Sequence, residues 1–169
     1  MIQAKDCIFC SIAASDADAS VVYQDDQVTA FMDLMPANPG HLLVIPNQHA
    51  SGLADLPDTA GGKMMIVGRR LADAIRRSGV RVEGVNLFLA DGEVAGQVVF
   101  HTHLHVIPRY AGDGVAFSFG HTSMAERKDL TNWRSRFKII SVKGQIATKN
   151  HVKSSTRCRL ILMIARVLE

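Results

Sequence analysis

Three histidines alternate with other residues in one short segment of the chain. They are His101, His103 and His105. Because side chains along a β-strand point alternately to opposite faces, all three imidazoles are predicted to line one surface, with successive rings roughly 6.5–7 Å apart. Neighbouring rings at that spacing can share one phosphate group or one metal ion. The segment therefore predicts a catalytic or metal site carried by a strand.

A pair of cysteines near the start of the chain adds two candidate thiolate ligands. Cys7 and Cys10 are separated by two residues, the spacing of metal knuckles and of redox pairs. We expect Asp6 to cap a short helix that runs to Ala13, which places both thiols on a first turn, where backbone amides favour thiolate. A redox role is not favoured, because no thioredoxin-like βαβ pattern follows the pair.

Five short strands are predicted to position these residues. They are expected over residues 20–23, 28–33, 41–46, 85–90 and 101–109. The run over 41–46, which His41 opens and His49 follows, is apolar without alternation, as in a central strand covered on both faces. The turn-rich loop over 91–96 leads into the histidine strand, so a hairpin would place that loop beside the histidines.

One long helix is predicted between Asp55 and Gly79. Apolar residues recur there with a helical period, while the arginines fall largely on other faces. The apolar positions are Met64, Val67, Leu71 and Ile75. Asp58 or Thr59 is expected to cap the N-terminus and Gly79 to end the helix.

Composition and charge limit the class of protein. The 169 residues have the size and hydrophobic content of one globular domain. Residues 1–137 hold 12 Lys and Arg against 15 Asp and Glu, whereas residues 138–169 hold 7 against 1. An acidic body lacks the clustered basic face of a nucleic-acid-binding protein. With no run long enough to span a membrane and no apolar core of a signal peptide, the chain is expected to be cytoplasmic, without a membrane partner.

Four motifs in a fixed order resemble the histidine triad family of nucleotide-processing proteins, and the match is close to its bacterial Hint-like branch. They are the Cys-x-x-Cys pair, Gly-His-x-x-Val-Ile-Pro from residue 40, Gly96-Gln97, and His-x-His-x-His-Val-Ile-Pro-Arg from residue 101. The resemblance covers roughly residues 5–130. It implies an α+β fold with a five-stranded antiparallel sheet, one long and one short helix, and a homodimer whose sheets join.

The resemblance sets a domain boundary near residue 130. Residues 1–130 are expected to form the histidine triad domain. Residues 131–169 do not continue the family pattern, and the change of net charge there predicts an atypical basic extension that is disordered or not native.

The resemblance also implies a reaction. His103 would attack the α-phosphate of a purine nucleotide derivative of the AMP type, forming a nucleotidyl-histidine that water then hydrolyses. His105 would donate to a phosphate oxygen, His41 would support the triad, and Gly96 and Gln97 would supply further phosphate donors. The expected activity is hydrolysis of nucleoside phosphoramidates. A diadenosine polyphosphate hydrolase and a purine nucleotide-binding module with little catalysis are the alternatives.

Five positions match the nucleoside site of the family. Ile8, Phe9, Phe31 and Leu34 resemble its apolar base pocket, and Asp33 resembles its ribose-hydroxyl acceptor. Phe and Leu on strands are more often core residues than ligand walls. Asp33, by contrast, ends an apolar strand, where a carboxylate has no packing role.

The histidines allow two kinds of zinc site. Taken alone, alternating histidines can form a catalytic zinc site with three ligands and one open position. The resemblance instead implies a closed structural zinc site of Cys7, Cys10, His49 and His101. That site would leave His103 available for chemistry.

Two positions depart from the family pattern. Ala90 stands where many members have asparagine near the phosphate, and Val98 stands where a serine or threonine usually bonds the leaving-group side. Asp91 could partly replace the missing polar group at Ala90, although a carboxylate repels phosphate. We expect these changes to reduce or redirect turnover without removing the nucleophile.

Overall fold

The fold is built on an antiparallel sheet of five strands. The computed structural model describes residues 6–117 and 124–137. Its elements are α1 (Ile8–Ala13), β1 (Val21–Gln24), β2 (Val28–Met32), β3 (Leu42–Pro46), α2 (Asp58–Arg77), β4 (Gly84–Phe88), a 3₁₀ turn (Glu93–Ala95), β5 (Leu104–Arg109) and α3 (Arg127–Arg136). The strand order is β1-β2-β3-β5-β4. The predicted α+β fold, with one long and one short helix on a five-stranded antiparallel sheet, is confirmed.

The chain divides into two units, Met1–Ser118 and Phe119–Glu169. The sheet, α1 and α2 belong to the first unit. The second unit contains α3, a third helix that the sequence analysis did not predict and that runs across the domain boundary expected near residue 130. Residues 138–169 of the predicted basic extension lie outside the described residues.

The central strand β3 is covered on both faces, as its apolar run predicts. Leu42 and Val44 pack with the apolar side of α2, including Met64 and Val67. The alternate residues of β3 pack with α1 on the opposite face of the sheet. The side chains of β3 are all buried, so no residue of this strand faces solvent. One face therefore carries the main core, and the other carries α1 and the histidines.

Both helix N-termini differ by one position from the prediction. Cys7, in an extended conformation, is the N-cap of α1, and Asp6 makes no capping bond. Pro57 is the N-cap of α2, so Asp58 becomes the first helical residue. There the negative charge of Asp58 interacts favourably with the positive end of the helix dipole, although no side chain forms a capping hydrogen bond. Neither helix has a side-chain hydrogen bond at its N-cap.

The histidine strand is shorter than predicted. β5 begins at Leu104, because the preceding backbone bonds to loops instead of to a neighbouring strand. The amide of Thr102 donates to the carbonyl of Ala50 (2.7 Å), and the amide of His101 donates to that of Val99 (2.9 Å). The alternation of faces nevertheless continues through the segment, since Leu104 is buried in the α2 core.

Among the residues that the structure describes, no helix is both long and apolar enough to cross a bilayer.

Two glycines give a matched test of the α2 boundaries. Gly79 follows the C-cap with φ +82°, whereas Gly62 lies inside α2, and an added Cβ would meet no atom within 4 Å at either position. We expect Gly62→Ala to raise the free energy of unfolding by about 1 kcal/mol through helix propensity. We expect Gly79→Ala to lower it by about 1 kcal/mol, because alanine disfavours positive φ. Urea unfolding of both variants measures these changes, and shifts in the same direction would contradict this placement of the helix end.

Candidate active site

Strand pairing brings two histidines from distant parts of the chain together. Leu43 of β3 pairs with His105 of β5. Because side chains alternate along a strand, His41, two residues before Leu43, lies on the same face of the sheet. The Nε2 atom of His41 is 2.9 Å from the Nδ1 atom of His105. The pairing of β3 with β5 therefore brings the two rings together, although His41 itself lies one residue before β3.

The hydrogen bonds around this pair fix the position of each proton. The backbone amide of Ala37 donates to His41 Nδ1 (3.1 Å), so the proton of the neutral ring is on Nε2. That N–H donates to His105 Nδ1, which places the proton of His105 on Nε2. His105 thus presents an N–H donor on the side away from His41.

Burial keeps both rings neutral. Burial, together with the neighbouring His103 and His41, lowers the pKa of His105 to about 4. Burial also lowers the pKa of His41, although the Asp33 carboxylate, 3.4 Å from Nδ1, opposes this shift. At neutral pH the pair therefore acts as a hydrogen-bonding relay without a net charge.

His103 has the arrangement of a histidine nucleophile. Its Nδ1 atom donates to the backbone carbonyl of His101 at 2.7 Å, so the lone pair is on Nε2. The ring centroids of His103 and His105 are 4.9 Å apart. Phe9 of α1 packs edge-on against His103, with 5.3 Å between ring centroids. His103 therefore has a bare Nε2 on a ring that packs against the ring of His105.

A cavity of about 470 Å³ opens beside these two histidines, within the range of small-molecule sites. Its lining includes all five predicted nucleoside residues, Ile8, Phe9, Phe31, Asp33 and Leu34, together with His103, His105 and Gly96. Because residues predicted for the nucleoside site line it, we refer to it below as the nucleotide cavity, a name that states the prediction only. Phe9 and Phe31 both line this cavity and pack edge-on against each other, with 5.5 Å between their ring centroids.

Some residues that line the nucleotide cavity were not predicted from the sequence. Met35, Leu43, Val99 and Asp18 also line it. Leu43 could have been found, because alternation from His41 places it on the histidine face. Met35 and Asp18 lie in irregular segments, for which the sequence contains no periodic signal.

The predicted phosphate donors of the 92–97 loop have partners inside the protein. The amides of Gly96 and Gln97 donate to the carbonyls of Glu93 (2.9 Å) and Gly92 (3.1 Å). The Gln97 side chain accepts from the Gly92 amide (2.8 Å) and donates to the Ser51 carbonyl (2.7 Å). Buried Gln97 holds the loop in shape, and of the two residues Gly96 is the one that lines the nucleotide cavity.

Ala90 and Val98, the two departures from the family pattern, differ in their exposure to solvent. Ala90 is buried, and Asp91 beside it accepts a hydrogen bond from the Leu53 amide (2.9 Å). The Asp91 carboxylate is therefore already hydrogen-bonded to a loop, and it does not replace a polar group at Ala90. Val98 is 87% exposed and lines the nucleotide cavity. Of the two positions, Val98 is the one that a bound ligand can reach.

A buried asparagine that the sequence analysis missed anchors the loop before His41. Asn38 Nδ2 donates to the carbonyl of Pro108 (2.8 Å) and to the carboxylate of Asp113 (3.0 Å). Arg109 Nε donates to the same carboxylate (2.6 Å), which holds the pKa of Asp113 well below its usual range. This network fixes the His41 loop to the end of β5.

Four donor atoms converge on the other side of His103. They belong to Cys7, Cys10, His49 and His101 and lie within 4.8 Å of one another. The Nδ1 atom of His101 is 3.4 Å from Cys7 Sγ and 3.6 Å from Cys10 Sγ, and His49 Nδ1 is 3.3 Å from Cys10 Sγ. A tetrahedral zinc ion with ordinary bond lengths separates sulfur and nitrogen ligands by roughly 3.5 Å. This set could therefore hold a four-coordinate zinc ion.

The surrounding hydrogen bonds orient the two histidine donors. His101 Nε2 donates to the carbonyl of Pro46 (2.9 Å), which leaves Nδ1 bare toward the sulfur atoms. The Thr102 hydroxyl donates to the carbonyl of Ala50 (3.0 Å), and this contact keeps His49 beside His101. The two rings are perpendicular, with centroids 5.0 Å apart.

The three alternating histidines are divided between different partners. His101 faces the cysteines, His103 bonds to a carbonyl, and His105 bonds to His41. Asp33, His41 and His105 form a second cluster, in which Asp33 lies 3.4 Å from Nδ1 of His41 and His105 lies 2.9 Å from its Nε2. The arrangement therefore does not favour a catalytic site of three histidines.

A family model described as HIT domain matches residues 14–112. The chain belongs to the HIT domain family. The resemblance to the histidine triad family is thereby confirmed. The paired His41 and His105 and the neighbouring His103 all lie within the matched residues.

Similar HIT proteins occur in distant organisms. An uncharacterized HIT-like protein of Borreliella burgdorferi is 41% identical over 116 residues, which are 68% of this chain and 84% of that protein. The adenylylsulfatase HINT3 of Arabidopsis thaliana is 34% identical over 109 residues, 64% of this chain and 55% of that protein. The crystal structure of a zinc-bound histidine triad family protein from Mycobacterium smegmatis is 43% identical, with a TM-score of 0.63 over 66% of this chain and 81% of that chain.

The proton position on His105 can be measured directly. At neutral pH we expect the ring to be neutral with its proton on Nε2, and to titrate with a pKa of about 4. Long-range ¹H–¹⁵N NMR of the imidazoles reports both properties. His41→Ala removes the donor to Nδ1, so His105 should then populate both tautomers. A proton on Nδ1 in the unmodified protein would contradict the relay.

The same shift predicts how stability depends on pH. An unfolded histidine binds its proton near pH 6.5, whereas folded His105 does so only near pH 4. The unfolded state therefore binds more protons between these values, and the free energy of unfolding should fall as the pH is lowered from about 6.5 to 4. Urea unfolding should show a smaller fall in His105→Asn.

Proposed function

We propose that this protein hydrolyses nucleoside phosphoramidates, purine nucleotides of the AMP type whose α-phosphate carries an amine, through a nucleotidyl intermediate on His103. One observation carries the proposal. The hydrogen bond from His103 Nδ1 to a backbone carbonyl leaves Nε2 bare on a ring that packs against His105 and lines an apolar cavity. Nucleophilic catalysis needs this combination of a bare nitrogen and an adjacent donor.

The proposed reaction has two steps. His103 Nε2 forms a bond to the α-phosphorus while the P–N bond to the amine breaks. Water then attacks phosphorus, the bond to His103 breaks, and a nucleoside monophosphate is released. Water supplies the hydroxyl on phosphorus and, overall, the proton on the amine. His103 keeps its Nδ1 proton on the His101 carbonyl in both steps.

The charge on the phosphate would be met by donors that have no other partner. The Nε2 proton of His105 is the first, because its Nδ1 is occupied by His41. The amide of Val98 is the second, since it donates no hydrogen bond within the described part of the chain. Preorganised donors of this kind typically contribute about 3–4 kcal/mol each to lowering the barrier.

The nucleoside would occupy the nucleotide cavity. Phe9, Phe31 and Ile8 supply apolar walls for a base, and Asp33 supplies an acceptor for ribose hydroxyls. The Asp33 carboxylate already accepts a bond from the Met35 amide (2.8 Å), which fixes its direction and leaves capacity for a second donor.

We propose that Cys7, Cys10, His49 and His101 bind a structural zinc ion. Two thiolates and two imidazoles match its ligand preferences, and the zinc-bound relative supports the assignment. The zinc would crosslink α1 to the segment before β5.

We also propose that the protein forms a homodimer. β4 is an edge strand, so its outer backbone groups can pair with a second copy. Leu87 of β4 and the neighbouring apolar residues Met65 and Ile66 of α2 are exposed. A second copy would cover this surface and extend the sheet.

The two alternatives differ in their products. A diadenosine polyphosphate hydrolase releases AMP together with a nucleoside polyphosphate, and a binding module retains AMP affinity without turnover. Product analysis beside calorimetry with AMP separates them, since micromolar binding without hydrolysis favours the binding module. The bare His103 nitrogen favours hydrolysis over binding alone.

The nucleophile and the departure at Val98 are tested in one kinetic series on adenosine 5′-phosphoramidate. We expect His103→Ala to lower kcat at least roughly 10³-fold, because no other group can form the intermediate. We expect Val98→Ser to raise kcat/KM roughly 2–10-fold, the effect of one added hydrogen bond. Acid-quenched mass spectrometry should find the nucleotidyl adduct on His103.

Val94→Ser is the matched control for this series, because Val94 lies in the same loop, is fully exposed and does not line the nucleotide cavity. Unchanged turnover in His103→Ala would refute the mechanism. No gain in Val98→Ser would refute the idea that the missing hydroxyl limits the rate.

The zinc proposal is tested by metal content. We expect about one zinc ion per chain in the purified protein. Cys10→Ser should abolish most of this binding and lower the Tm, because α1 would lose its crosslink. Cys158→Ser, which changes the one cysteine outside the proposed ligand set, is the matched control. Equal zinc content in all three proteins, measured by mass spectrometry of the metal, would rule out this ligand set.

A further inference from the structure

Two groups of opposite character approach the same nitrogen of His41. The Ala37 amide lies 3.1 Å from Nδ1 and can only donate a hydrogen bond. The Asp33 carboxylate lies 3.4 Å from the same atom and can only accept one. A bare Nδ1 suits the amide, whereas a protonated Nδ1 suits the carboxylate. The proton position on His41 therefore depends on which of the two groups is held at hydrogen-bonding distance.

The direction of the hydrogen bond between His41 and His105 follows from this competition. With the amide in place, His41 donates from Nε2 to Nδ1 of His105 across 2.9 Å, and His105 carries its own proton on Nε2. With the proton of His41 on Nδ1, the bond between the rings reverses, because His105 must then donate from its Nδ1. The Nε2 atom of His105 would then be bare, with no proton to donate to a phosphate oxygen.

A tight turn begins directly after Ala37. The amide of His41 donates to the carbonyl of Asn38 at 3.1 Å, and Gly40 between them has a φ of +87°. Pro39 and Gly40 occupy the two central positions, as in a type II β-turn, whose second central residue needs a positive φ. The turn gives the segment a fixed shape. Its position relative to the sheet depends on its first residue, Asn38.

Asn38 fixes this turn to the end of β5. It is 4% exposed, and its Nδ2 donates to the carbonyl of Pro108 at 2.8 Å and to the carboxylate of Asp113 at 3.0 Å. Arg109 holds the same carboxylate through bonds of 2.6 and 3.0 Å. Neither Asn38 nor its two acceptors line the nucleotide cavity. Asn38 therefore determines the position of the neighbouring Ala37 amide from outside the cavity.

We propose that Asn38 is a positioning residue, which holds the Ala37 amide on His41. It thereby keeps the proton of His105 on Nε2, the nitrogen that would face the phosphate. The inference rests on the proposed function, because that function gives this proton its role. Asn38 touches neither the substrate nor the reacting atoms, so its effect passes through the tautomers of the two rings. Without this anchor, the Asp33 carboxylate draws the proton of His41 to Nδ1 and the pair reverses.

Long-range ¹H–¹⁵N NMR at neutral pH reads both tautomers and needs no substrate. We expect Asn38→Ala to move the protons of His41 and His105 from Nε2 to Nδ1. Asn47→Ala is the matched control, because Asn47 is also buried and its side chain makes two hydrogen bonds of 2.7 Å, just beyond the opposite end of β3. It should lose comparable stability and leave both tautomers unchanged.

A pair of substitutions at Ala37 tests the amide directly. Ala37→Pro removes the amide hydrogen and leaves the side chain of Asn38 in place, so it should reverse the tautomers as Asn38→Ala does. Ala37→Gly keeps the amide hydrogen and should not reverse them. Because residue 37 is exposed, both changes leave the core intact. This pair decides the question even where Asn38→Ala does not fold.

A second substitution should rescue Asn38→Ala. Asp33 Oδ1 accepts from the Met35 amide, and Oδ2 faces His41. An asparagine at this position keeps the first contact and presents an N–H donor at the second. Asn38→Ala combined with Asp33→Asn should therefore return the proton to Nε2 on both rings. A general loss of structure in Asn38→Ala would not be repaired by this change.

Kinetics on adenosine 5′-phosphoramidate connect the tautomers to the reaction. Asn38→Ala and Ala37→Pro should lower kcat roughly 10²-fold, the effect of losing one preorganised donor. Asn47→Ala and Ala37→Gly should leave kcat near that of the unmodified protein. Zinc content should be equal in all five proteins, since none of these positions belongs to the proposed ligand set.

The outcomes separate this inference from the proposed function. Unchanged tautomers in Ala37→Pro, a doubly protonated His41 beside an unchanged His105, or no rescue by Asp33→Asn would overturn the role of Asn38. Reversed tautomers with an unchanged kcat would also overturn it. If the unmodified protein hydrolyses no phosphoramidate, the proposed function fails, and the NMR result still decides whether Asn38 sets the tautomers.

Discussion

A single hydrogen bond, 2.7 Å from His103 Nδ1 to the carbonyl oxygen of His101, connects the two halves of the site. It fixes the tautomer of His103 and thereby exposes a bare nitrogen to the nucleotide cavity. The ring of His101 uses its own nitrogens elsewhere, one toward the Pro46 carbonyl and one toward the cysteines. Whatever holds His101 in place therefore also holds His103. The proposed zinc would act on the reaction through the position of this carbonyl, without touching the substrate.

The two faces of the sheet have different roles, one in stability and the other at the candidate active site. One face packs against α2 through Leu42, Val44 and Leu104, which form the main core. The opposite face carries the histidines and α1, whose Phe9 contacts both His103 and the wall of the nucleotide cavity. Because successive side chains alternate, each strand contributes to both faces. The strand that supplies Leu104 to the core thus also supplies a reactive ring to the cavity.

Burial determines the charge state of the histidine cluster. Desolvation lowers the pKa of His105 to about 4, so its ring stays neutral and donates from one nitrogen while it accepts at the other. His41 has the same character, and its backbone partner Ala37 sets the direction of the whole relay. In the proposed reaction, hydrogen-bond donors of this neutral relay would meet the charge of the phosphate without a metal ion.

The sequence by itself determined which residues share a face, because alternation is a local property of the chain: it placed the histidines opposite Leu104, and the order of motifs gave the family. The strand order, the helix ends and the loop contacts were decided by tertiary structure. The Gln97 side chain donates to the Ser51 carbonyl, 46 residues away, and the Asp91 carboxylate accepts from the Leu53 amide. Partners so distant along the chain leave no periodic signal, since only folding brings a donor and its acceptor together.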